Sequence, residues 1–315
     1  MRTAPLRLAT RGSALARWQA EEVARLLGQA EAVTAVELVI VETTGDRRPD
    51  VPVWEVGGQG VFVKEVQAAV LEGRADAAVH SAKDLPSVAP PGLRLTAIPP
   101  RADPRDALVG SPLDRLPPGA RVATGSVRRR AQLAWLRPDL TFVGLRGNIS
   151  TRLERVPPGG AVVVAAAALD RLGLADRVSE LLEVADMLPQ VGQGAIGIEC
   201  RAGDEGTIEV LASIDDPVAR TGVETERAFL ARLGGGCDLP VGAYAVAGPD
   251  GIEVEGLLAS PDGRVMLRGS WAGDSTSIGA DLAESLLASG GSDLIGTGLA
   301  GDPVPSAGGL GGSGR

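Results

Sequence analysis

The chain has 315 residues, 44% hydrophobic and 23% charged, which is the balance of a soluble globular enzyme with two or three domains. Its net charge of −9 argues against a general nucleic-acid-binding protein, and its two cysteines cannot build a disulfide framework or a zinc site. Because no segment resembles a signal peptide or reaches the roughly 20 apolar residues that span a bilayer, we expect a cytoplasmic protein without membrane contact.

Strand and helix patterns alternate along the chain and predict an α/β fold with mainly parallel sheets. The predicted strands include 6–9, 36–41, 75–79, 121–124 and 161–166. The predicted helices include 60–73, 126–136, 148–155 and 218–233. The proline-rich stretch PPRADPRDALVGSPLDRLPPG (99–119) predicts a domain boundary near residues 99–105, and residues 251–260 look like part of an antiparallel meander. From Ser289 onward 10 of 27 residues are glycine, which predicts a disordered tail.

Three strand-to-helix junctions carry a hydroxyl or other small residue next to arginine. They are LATRGS (8–13), VATGSVRR (122–129) and VGLRGNISTR (143–152). A helix N-terminus attracts anions and arginine grips carboxylates, although a single serine at such a position is more often only an N-cap. The three junctions together, within a stretch from 121 to 155 that has eight arginines and two acids, predict a lining for a polyanion.

The stretch HSAKDLPS (80–87) follows a predicted strand and contains the only histidine. His80 is interpreted as a hydrogen-bonded residue at a strand end, with a metal or catalytic role as the alternative. Lys83 and Asp84 form either a plain surface ion pair or part of an active site, since catalytic carboxylates often follow strands. An aspartate with cationic neighbours stays charged at neutral pH and can stabilise a positively charged intermediate.

The two cysteines stand in different surroundings. Cys200 ends the alternation AIGIEC and is predicted to be a small buried residue, whereas Cys237 follows three glycines in ARLGGGCDLPVG. Glycines lack a side chain and let a bulky group approach the backbone. Cys237 is therefore either a passive loop residue or a thiol placed to carry something large.

Taken together, these stretches resemble the porphobilinogen deaminase (hydroxymethylbilane synthase) family. The matching blocks, which occur in the family's order over about residues 6–250, are LATRGSALARWQA, TTGD, GGQGVFVKE, DAAVHSAKDLP, ATGSVRRRAQL, LRGNISTRLERV, LDRLGL, LPQVGQGAIGIECR and GGGCDLPVGAYA. The resemblance implies two similar hinged periplasmic-binding-protein-like α/β domains around a cleft, and a smaller α+β C-terminal domain. It places domain 1 at 1–99 plus about 194–214, domain 2 at 100–193, domain 3 at 215–290, and a flexible tail at 291–315.

The resemblance also implies a reaction and a cofactor. Four porphobilinogen molecules join head to tail with loss of ammonia, giving linear 1-hydroxymethylbilane for tetrapyrrole (haem) synthesis. The growing chain is primed on a dipyrromethane cofactor, which is held by a thioether to Cys237. No metal, nucleic acid or membrane is implied, and a monomer is expected.

Individual roles carry over by motif match. Asp84 matches the catalytic aspartate. The residues matched to cofactor binding are Cys237, Lys83, Asp84, Ser126, Arg128, Arg129 and Arg146. Those matched to substrate binding are Arg11, Ser13, Phe62, Arg146, Arg152 and Arg171.

Two positions depart from the family pattern. Gln59 stands where lysine is frequent, and Gly125 replaces a common serine, so substrate affinity and loop closure are the properties in doubt. Arg130 falls outside the usual arginine pair and is expected to be solvated or structural. The alternatives are a bilobal anion- or solute-binding protein, which gives Cys237 no role, and a degenerate paralogue that binds tetrapyrroles without turnover.

Overall fold

We describe the protein from a computed structural model, which covers residues 4–44, 63–234 and 239–297. Within these residues the chain forms two five-stranded sheets and one three-stranded sheet, with helices packed against them. The α/β fold class, with two similar units and a smaller α+β unit, is confirmed. The predictions for Gln59, Phe62, Cys237 and the end of the tail fall outside the described residues.

The first sheet is formed by two segments that are far apart in sequence: four strands come from residues 6–97 and one comes from residues 196–201. Its strands lie in the order β2 (Val36–Val41), β1 (Leu6–Arg11), β3 (Ala77–Ser81), β10 (Ile196–Arg201) and β4 (Leu93–Ala97). Its helices are α1 (Ala14–Gln29), α2 (Lys64–Leu71) and α6 (Glu205–Ala212). Val23 and Leu27, one helical turn apart on α1, pack on the buried strand residues Leu8 and Ile198. The returning strand β10 thus completes the core of the first unit.

The second sheet is formed by the segment of chain that lies, in sequence, between β4 and β10 of the first sheet. Its strands lie in the order β7 (Thr141–Val143), β6 (Arg121–Ala123), β8 (Ala161–Ala165), β5 (Asp106–Val109) and β9 (Glu180–Leu182). Its helices are α3 (Val127–Leu136), α4 (Ile149–Leu153) and α5 (Ala166–Arg171). Strand β8 reads AVVVA and is buried along its whole length, as expected for a strand covered on both faces.

The expectation of mainly parallel sheets is wrong in part, because each five-stranded sheet is mixed. In the first, β1 is parallel to β2 and β3, but β10 is antiparallel to β3 and β4. In the second, β6 is parallel to β7 and β8, but β5 is antiparallel to β8 and β9. Strands β10 and β5 are the ones that the chain reaches directly from the other unit. They therefore enter their sheets from the hinge side and run in the opposite direction.

The third sheet is an antiparallel meander, as residues 251–260 predicted. It consists of β11 (Val241–Gly248), β12 (Gly251–Ala259) and β13 (Met266–Gly273), covered by α7 (Pro217–Arg232) and α8 (Ile278–Leu286). Phe229 on α7 is fully buried, and a Cβ at Gly256 would lie 2.5 Å from its ring. Glycine at 256 is therefore what lets α7 pack so closely on β12.

The glycine-rich end of the chain is more ordered at its start than composition predicted. Helix α9 (Ser292–Thr297) follows α8, and Leu294 and Ile295 pack against the core of the third sheet. These two residues are the apolar ones in a helix that otherwise reads serine, aspartate, glycine and threonine. Their burial extends helical structure past Ser289, where we expected disorder to begin.

Two connections join the first and second sheets: the outgoing connection, 98–105, and the returning connection, 183–195. Glu226 of α7 is fully buried and ties both to the third sheet. Its carboxylate accepts hydrogen bonds from Arg101 Nη1 (2.6 Å), Gly192 N (2.7 Å) and Ala245 N (3.0 Å). The guanidinium carbon of Arg101 also lies 5.0 Å from the ring centroid of Tyr244. One carboxylate therefore holds both connections against the third sheet.

Candidate active site

The three arginine-bearing junctions sit where β1, β6 and β7 lead into helices, and in each the polar residue caps the helix that follows. Ser13 Oγ accepts from Ala16 N at 3.3 Å, Ser126 Oγ from Arg129 N at 3.4 Å, and Asn148 Oδ1 from Thr151 N at 3.0 Å. The capping interpretation is thus correct for these side chains. It leaves the O–H of Ser13 and of Ser126 able to donate to an anion, since a hydroxyl donates and accepts at once.

Asp84 ends a short 3₁₀ turn, Ala82–Asp84, directly after β3. It lines a recess with Arg11 and Ser13, and the remaining lining residues are Leu15, Ala16, Gln19, Val63, Val79, His80 and Ser81. The recess brings the end of β3 together with the junction after β1, because these strands are neighbours in the sheet. The predicted residues Arg11, Ser13 and Asp84 are therefore close together.

His80 is buried at the end of β3, and its Nε2 lies 3.4 Å from Oε2 of the buried Glu199. Gln67 Nε2 donates to the same carboxylate oxygen at 2.8 Å. His80 thus has a carboxylate neighbour of its own, which sequence reasoning did not find. Across residues 4–44, 63–234 and 239–297, no group of three or more His, Cys, Asp or Glu side chains could hold a metal ion.

Arg128 and Arg129 are buried, and both bind the carboxylate of Asp106, which is itself fully buried. Arg128 Nη2 donates to Oδ2 of Asp106 at 2.7 Å, and Arg129 Nη2 donates to Oδ1 at 2.7 Å. Burial alone would raise the pKa of Asp106, but the two guanidinium groups outweigh it and hold that pKa well below its usual range. Sequence reasoning missed Asp106. The available signal was an acidic residue at the head of the apolar strand DALV.

The cationic side chains around Asp106 nevertheless carry more positive charge than its single carboxylate neutralises. Arg128 Nε is buried and has no hydrogen-bond partner among the described residues, and burial lowers the pKa of Arg128. Burial, followed by the positive charge of Arg129, lowers the pKa of Lys83 to about 8. Burial, then Arg129, and to a smaller extent Arg146, lower the pKa of Arg152 to about 10. Lys83, Arg128, Arg129 and Arg152 are called the cation cluster below. Asp84 acts on both Lys83 and Arg152 in the opposite sense, so it lies near the cluster.

Arg146, Arg152 and Arg171 occupy different places. Arg152 Nε donates to the carbonyl of Gly147 at 2.8 Å, within the same junction as Arg146. Arg171 Nη2 donates to the carbonyl of Gly194 at 2.7 Å, and its guanidinium carbon lies 5.6 Å from the Trp18 ring centroid. Arg171 therefore links the second unit to α1 and the returning connection. Its contacts in this structure join the two units.

The two buried ion pairs of Asp106, with Arg128 and with Arg129, lead to a prediction about stability. Asp106→Asn leaves two buried guanidinium groups without their carboxylate, so we expect a loss of about 3 to 5 kcal/mol in the free energy of unfolding. Because the folded pKa is depressed, the pair contributes its full stability above about pH 4 and loses it only at lower pH. Urea denaturation at pH 7 measures the change. The control is Asp139→Asn, which removes an exposed pair with Arg137 and should have little effect. Equal losses in both variants would contradict the prediction.

Comparison with known proteins identifies the chain. Residues 6–209 match the family model described as the porphobilinogen deaminase dipyrromethane cofactor binding domain, and residues 221–288 match the porphobilinogen deaminase C-terminal domain. The chain belongs to the porphobilinogen deaminase family. A porphobilinogen deaminase of Syntrophotalea carbinolica is 46% identical over 303 residues, covering 94% of this chain and 96% of the relative. Another, of Roseiflexus castenholzii, is 48% identical over 92% of this chain and 98% of the relative.

Solved structures similar to the chain include solute-binding proteins. A lipoprotein of the YaeC family from Enterococcus faecalis has a TM-score of 0.39 at 14% identity, covering 68% of this chain and 92% of its own. A TRAP periplasmic solute binding protein from Desulfovibrio salexigens has a TM-score of 0.40 at 13% identity, covering 68% and 73%. Family membership decides between the enzyme and a solute-binding protein in favour of the enzyme. No helix of the described ranges is long and apolar enough to cross a membrane.

The porphobilinogen deaminase cofactor is a dipyrromethane whose rings carry acetate and propionate groups, and the cation cluster suits such a polycarboxylate. The unpartnered Arg128 Nε is a buried donor that a carboxylate would satisfy. Burial and the nearby charge of Arg129 lower the pKa values of Lys83 and Arg152. Carboxylates bound beside them would stabilise the charged forms of both side chains. The residues present therefore fit the group that the family binds.

Proposed function

We propose that this porphobilinogen deaminase works through Asp84, the cation cluster and Cys237, on the following division of roles. The enzyme deaminates and condenses four porphobilinogen molecules into linear 1-hydroxymethylbilane in tetrapyrrole synthesis, with a dipyrromethane as its cofactor. The observation that carries the assignment of roles is the excess of buried cations next to Asp84, contributed by both five-stranded units. A site that binds many carboxylates and stabilises a cationic pyrrole needs this combination.

Lys83, Ser126, Arg128, Arg129 and Arg146 hold the carboxylates of the dipyrromethane. When bound, that group supplies the primer on which the chain is extended. Arg128 offers its buried Nε, and Lys83 offers an ammonium group that remains largely charged at pH 7 because its pKa is about 8. Cys237 anchors the group through its sulfur, and the three glycines that precede it in the sequence have no side chain to block a bulky group.

Arg11, Ser13, Arg146, Arg152, Arg171 and Phe62 bind substrate in this proposal. The support is strongest for Arg11 and Ser13, which share the recess with Asp84. It is weakest for Arg171, because the contacts described for its guanidinium group are with Gly194 and Trp18.

Asp84 stabilises the positive charge that develops on pyrrole nitrogen when ammonia leaves. Its carboxylate accepts the pyrrole N–H, and an oxygen of the same carboxylate takes up or returns the proton that moves at each addition. Arg11, which lines the same recess, and Lys83 of the cation cluster place positive charge close to the Asp84 carboxylate. Asp84 is the one acidic residue among the side chains that line the described recess.

The remaining assignments are also part of the proposal. The three sheets support domains of 1–99 with about 194–214, 100–193 and 215–290, followed by the tail at 291–315. We further propose that the enzyme is a cytoplasmic monomer.

The experiment that tests the proposed function combines intact mass with an assay. The purified protein should be heavier than its sequence by two pyrrole units, should colour with acid Ehrlich reagent, and should convert porphobilinogen to 1-hydroxymethylbilane. A peptide map should place the added mass on the peptide that contains Cys237. Turnover by protein that carries no adduct, or an adduct on Cys200, would overturn the assignment of Cys237.

A further inference from the structure

Gln193 lies in the returning connection, between two glycines whose backbone only glycine adopts readily. Gly192 has φ +72° and Gly194 has φ +87°. A Cβ at Gly194 would lie 2.4 Å from the carbonyl oxygen of Ala102, so the returning and outgoing connections touch here. The side chain of Gln193 is fully buried at this crossing. Its position is therefore fixed by backbone on both sides.

The amide of Gln193 contacts charged groups from both five-stranded units. Its Oε1 accepts from Lys83 Nζ at 3.2 Å, and its Nε2 donates to Oδ1 of Asp106 at 2.9 Å. The Oε1 also accepts from Arg129 Nη2 at 3.5 Å, and the Nε2 donates to the carbonyl of Pro104 at 2.7 Å. Lys83 follows β3 of the first sheet, whereas Asp106 begins β5 of the second. Gln193 joins the two.

The main chain of Gln193 is held as firmly as its side chain. Its carbonyl accepts from Arg101 Nε at 2.9 Å, and Arg101 in turn is bound by the buried carboxylate of Glu226. The backbone of Gln193 is thus bonded to Arg101 of the outgoing connection and, through Arg101 and Glu226, is linked to the third sheet. A group anchored in this way can set the positions of its partners.

We propose that Gln193 is a positioning residue, which holds Lys83 of the first unit and the Asp106–Arg129 pair of the second in one carboxylate-binding arrangement. A glutamine suits this task because a neutral amide offers an acceptor to the cation and a donor to the anion. Leucine or methionine would fill the space but bond to neither group. Asparagine, one methylene shorter, cannot span both partners from the same backbone. The proposal rests on the proposed role of Lys83 and the arginines in carboxylate binding.

The chain offers a direct measurement, because Lys64 and Lys83 are its only lysines and Lys64 is exposed. The holoenzyme is acetylated at pH 7 with a limiting amount of an N-hydroxysuccinimide ester. Mass spectrometry of the peptides then gives the ratio of labelling at Lys83 to labelling at Lys64. Only the neutral amine reacts, so the ratio depends on the protonation of Lys83 and on its access to the reagent, and variants of opposite charge at 193 separate the two effects. The charged neighbours of Lys83 are Asp84, Asp106, Arg128 and Arg129. The exposed Lys64 serves as a reference within each protein.

Gln193→Met removes one acceptor of the Lys83 ammonium group, so we expect the pKa of Lys83 to fall further. The labelling ratio should rise about threefold to fivefold, and kcat/KM should fall about tenfold or more. Gln193→Glu places a carboxylate near Lys83, so its ratio should change in the opposite direction. Opposite shifts from the two variants would not follow from general loosening of the fold.

The matched control is Gln132→Met. Gln132 is also buried, but its side chain bonds only with the backbone of Leu188 among the described contacts. Its loss should lower the melting temperature while leaving the labelling ratio unchanged. If Gln193→Met does not fold, Gln193→Asn takes its place, with the same expected direction.

Two results would overturn the proposal. An unchanged labelling ratio in folded Gln193→Met would show that the amide does not set the state of Lys83. A shifted ratio with unchanged kcat/KM would show that the arrangement is irrelevant to the reaction. Because labelling reads the contact without turnover, the first failure is distinguishable from a failure of the proposed function.

Discussion

Cys237→Ala is expected to yield folded protein with no pyrrole adduct and no detectable conversion of porphobilinogen. Alanine lacks the sulfur that forms the thioether, so the primer has no covalent attachment. Carboxylate contacts alone would then have to retain the primer through every addition and the final release. We expect the added mass, the Ehrlich colour and the product to disappear together. Intact mass and a product assay on the same preparation measure all three.

The matched control is Cys200→Ala. Cys200 lies in β10, is fully buried, and its Sγ is 3.0 Å from Oγ1 of Thr96. Burial raises the pKa of its thiol, which keeps it protonated and unreactive at neutral pH. This variant should keep the adduct and the activity, with a modest loss of stability. An active, unmodified Cys237→Ala protein would remove the thiol from the mechanism.

Asp84→Asn is expected to keep the fold and the adduct but to lose turnover by about a hundredfold or more. The amide has nearly the shape of the carboxylate, so the recess should retain its form. It has no negative charge, however, and can neither stabilise a cationic pyrrole nor take up a proton. Steady-state kinetics, with the adduct confirmed by mass, measure the loss. The fall should lie mainly in kcat, because the proposed interaction strengthens as charge develops.

The control for Asp84 is Asp114→Asn, an exposed aspartate on a 3₁₀ turn of the second unit. It removes the same charge from the protein without touching the recess. Its turnover should match the parent enzyme. Near-normal turnover by Asp84→Asn in the same assay would leave Asp84 without a catalytic role.

Sequence patterns predicted the local structure well where apolar periodicity was strong. Strand 36–41 has the predicted bounds, and helix α7 at Pro217–Arg232 differs by one residue from the predicted 218–233. Strand β5 was missed because it lies inside a proline-rich stretch that reads as a linker. The antiparallel placement of β5 and β10 was missed as well. Direction in a sheet depends on where the chain enters it, which no local pattern records.

The candidate site shows the same limit. Arg128 and Arg129 lie in the first turn of α3, where positive charge opposes the helix dipole. In the structure Arg128 and Arg129 are buried, and Asp106 offsets that cost from a different strand. Gln193 was missed for a related reason, since a glutamine between glycines has no periodicity to reveal it. Partners brought together from 22 or 110 residues away leave no trace in a short window of sequence.

The two five-stranded sheets share one strand order, yet different side chains follow their equivalent strands. Strand β3 corresponds to β8, and Asp84 follows the first whereas the alanines of α5 follow the second. Strand β1 corresponds to β6, and the buried arginine pair follows only the latter. In the proposed site the first unit thus supplies Asp84 and Lys83, whereas the second supplies the arginines of the cation cluster. The two units share a topology but contribute different side chains to the proposed site, so we expect that exchanging their junction loops would abolish activity.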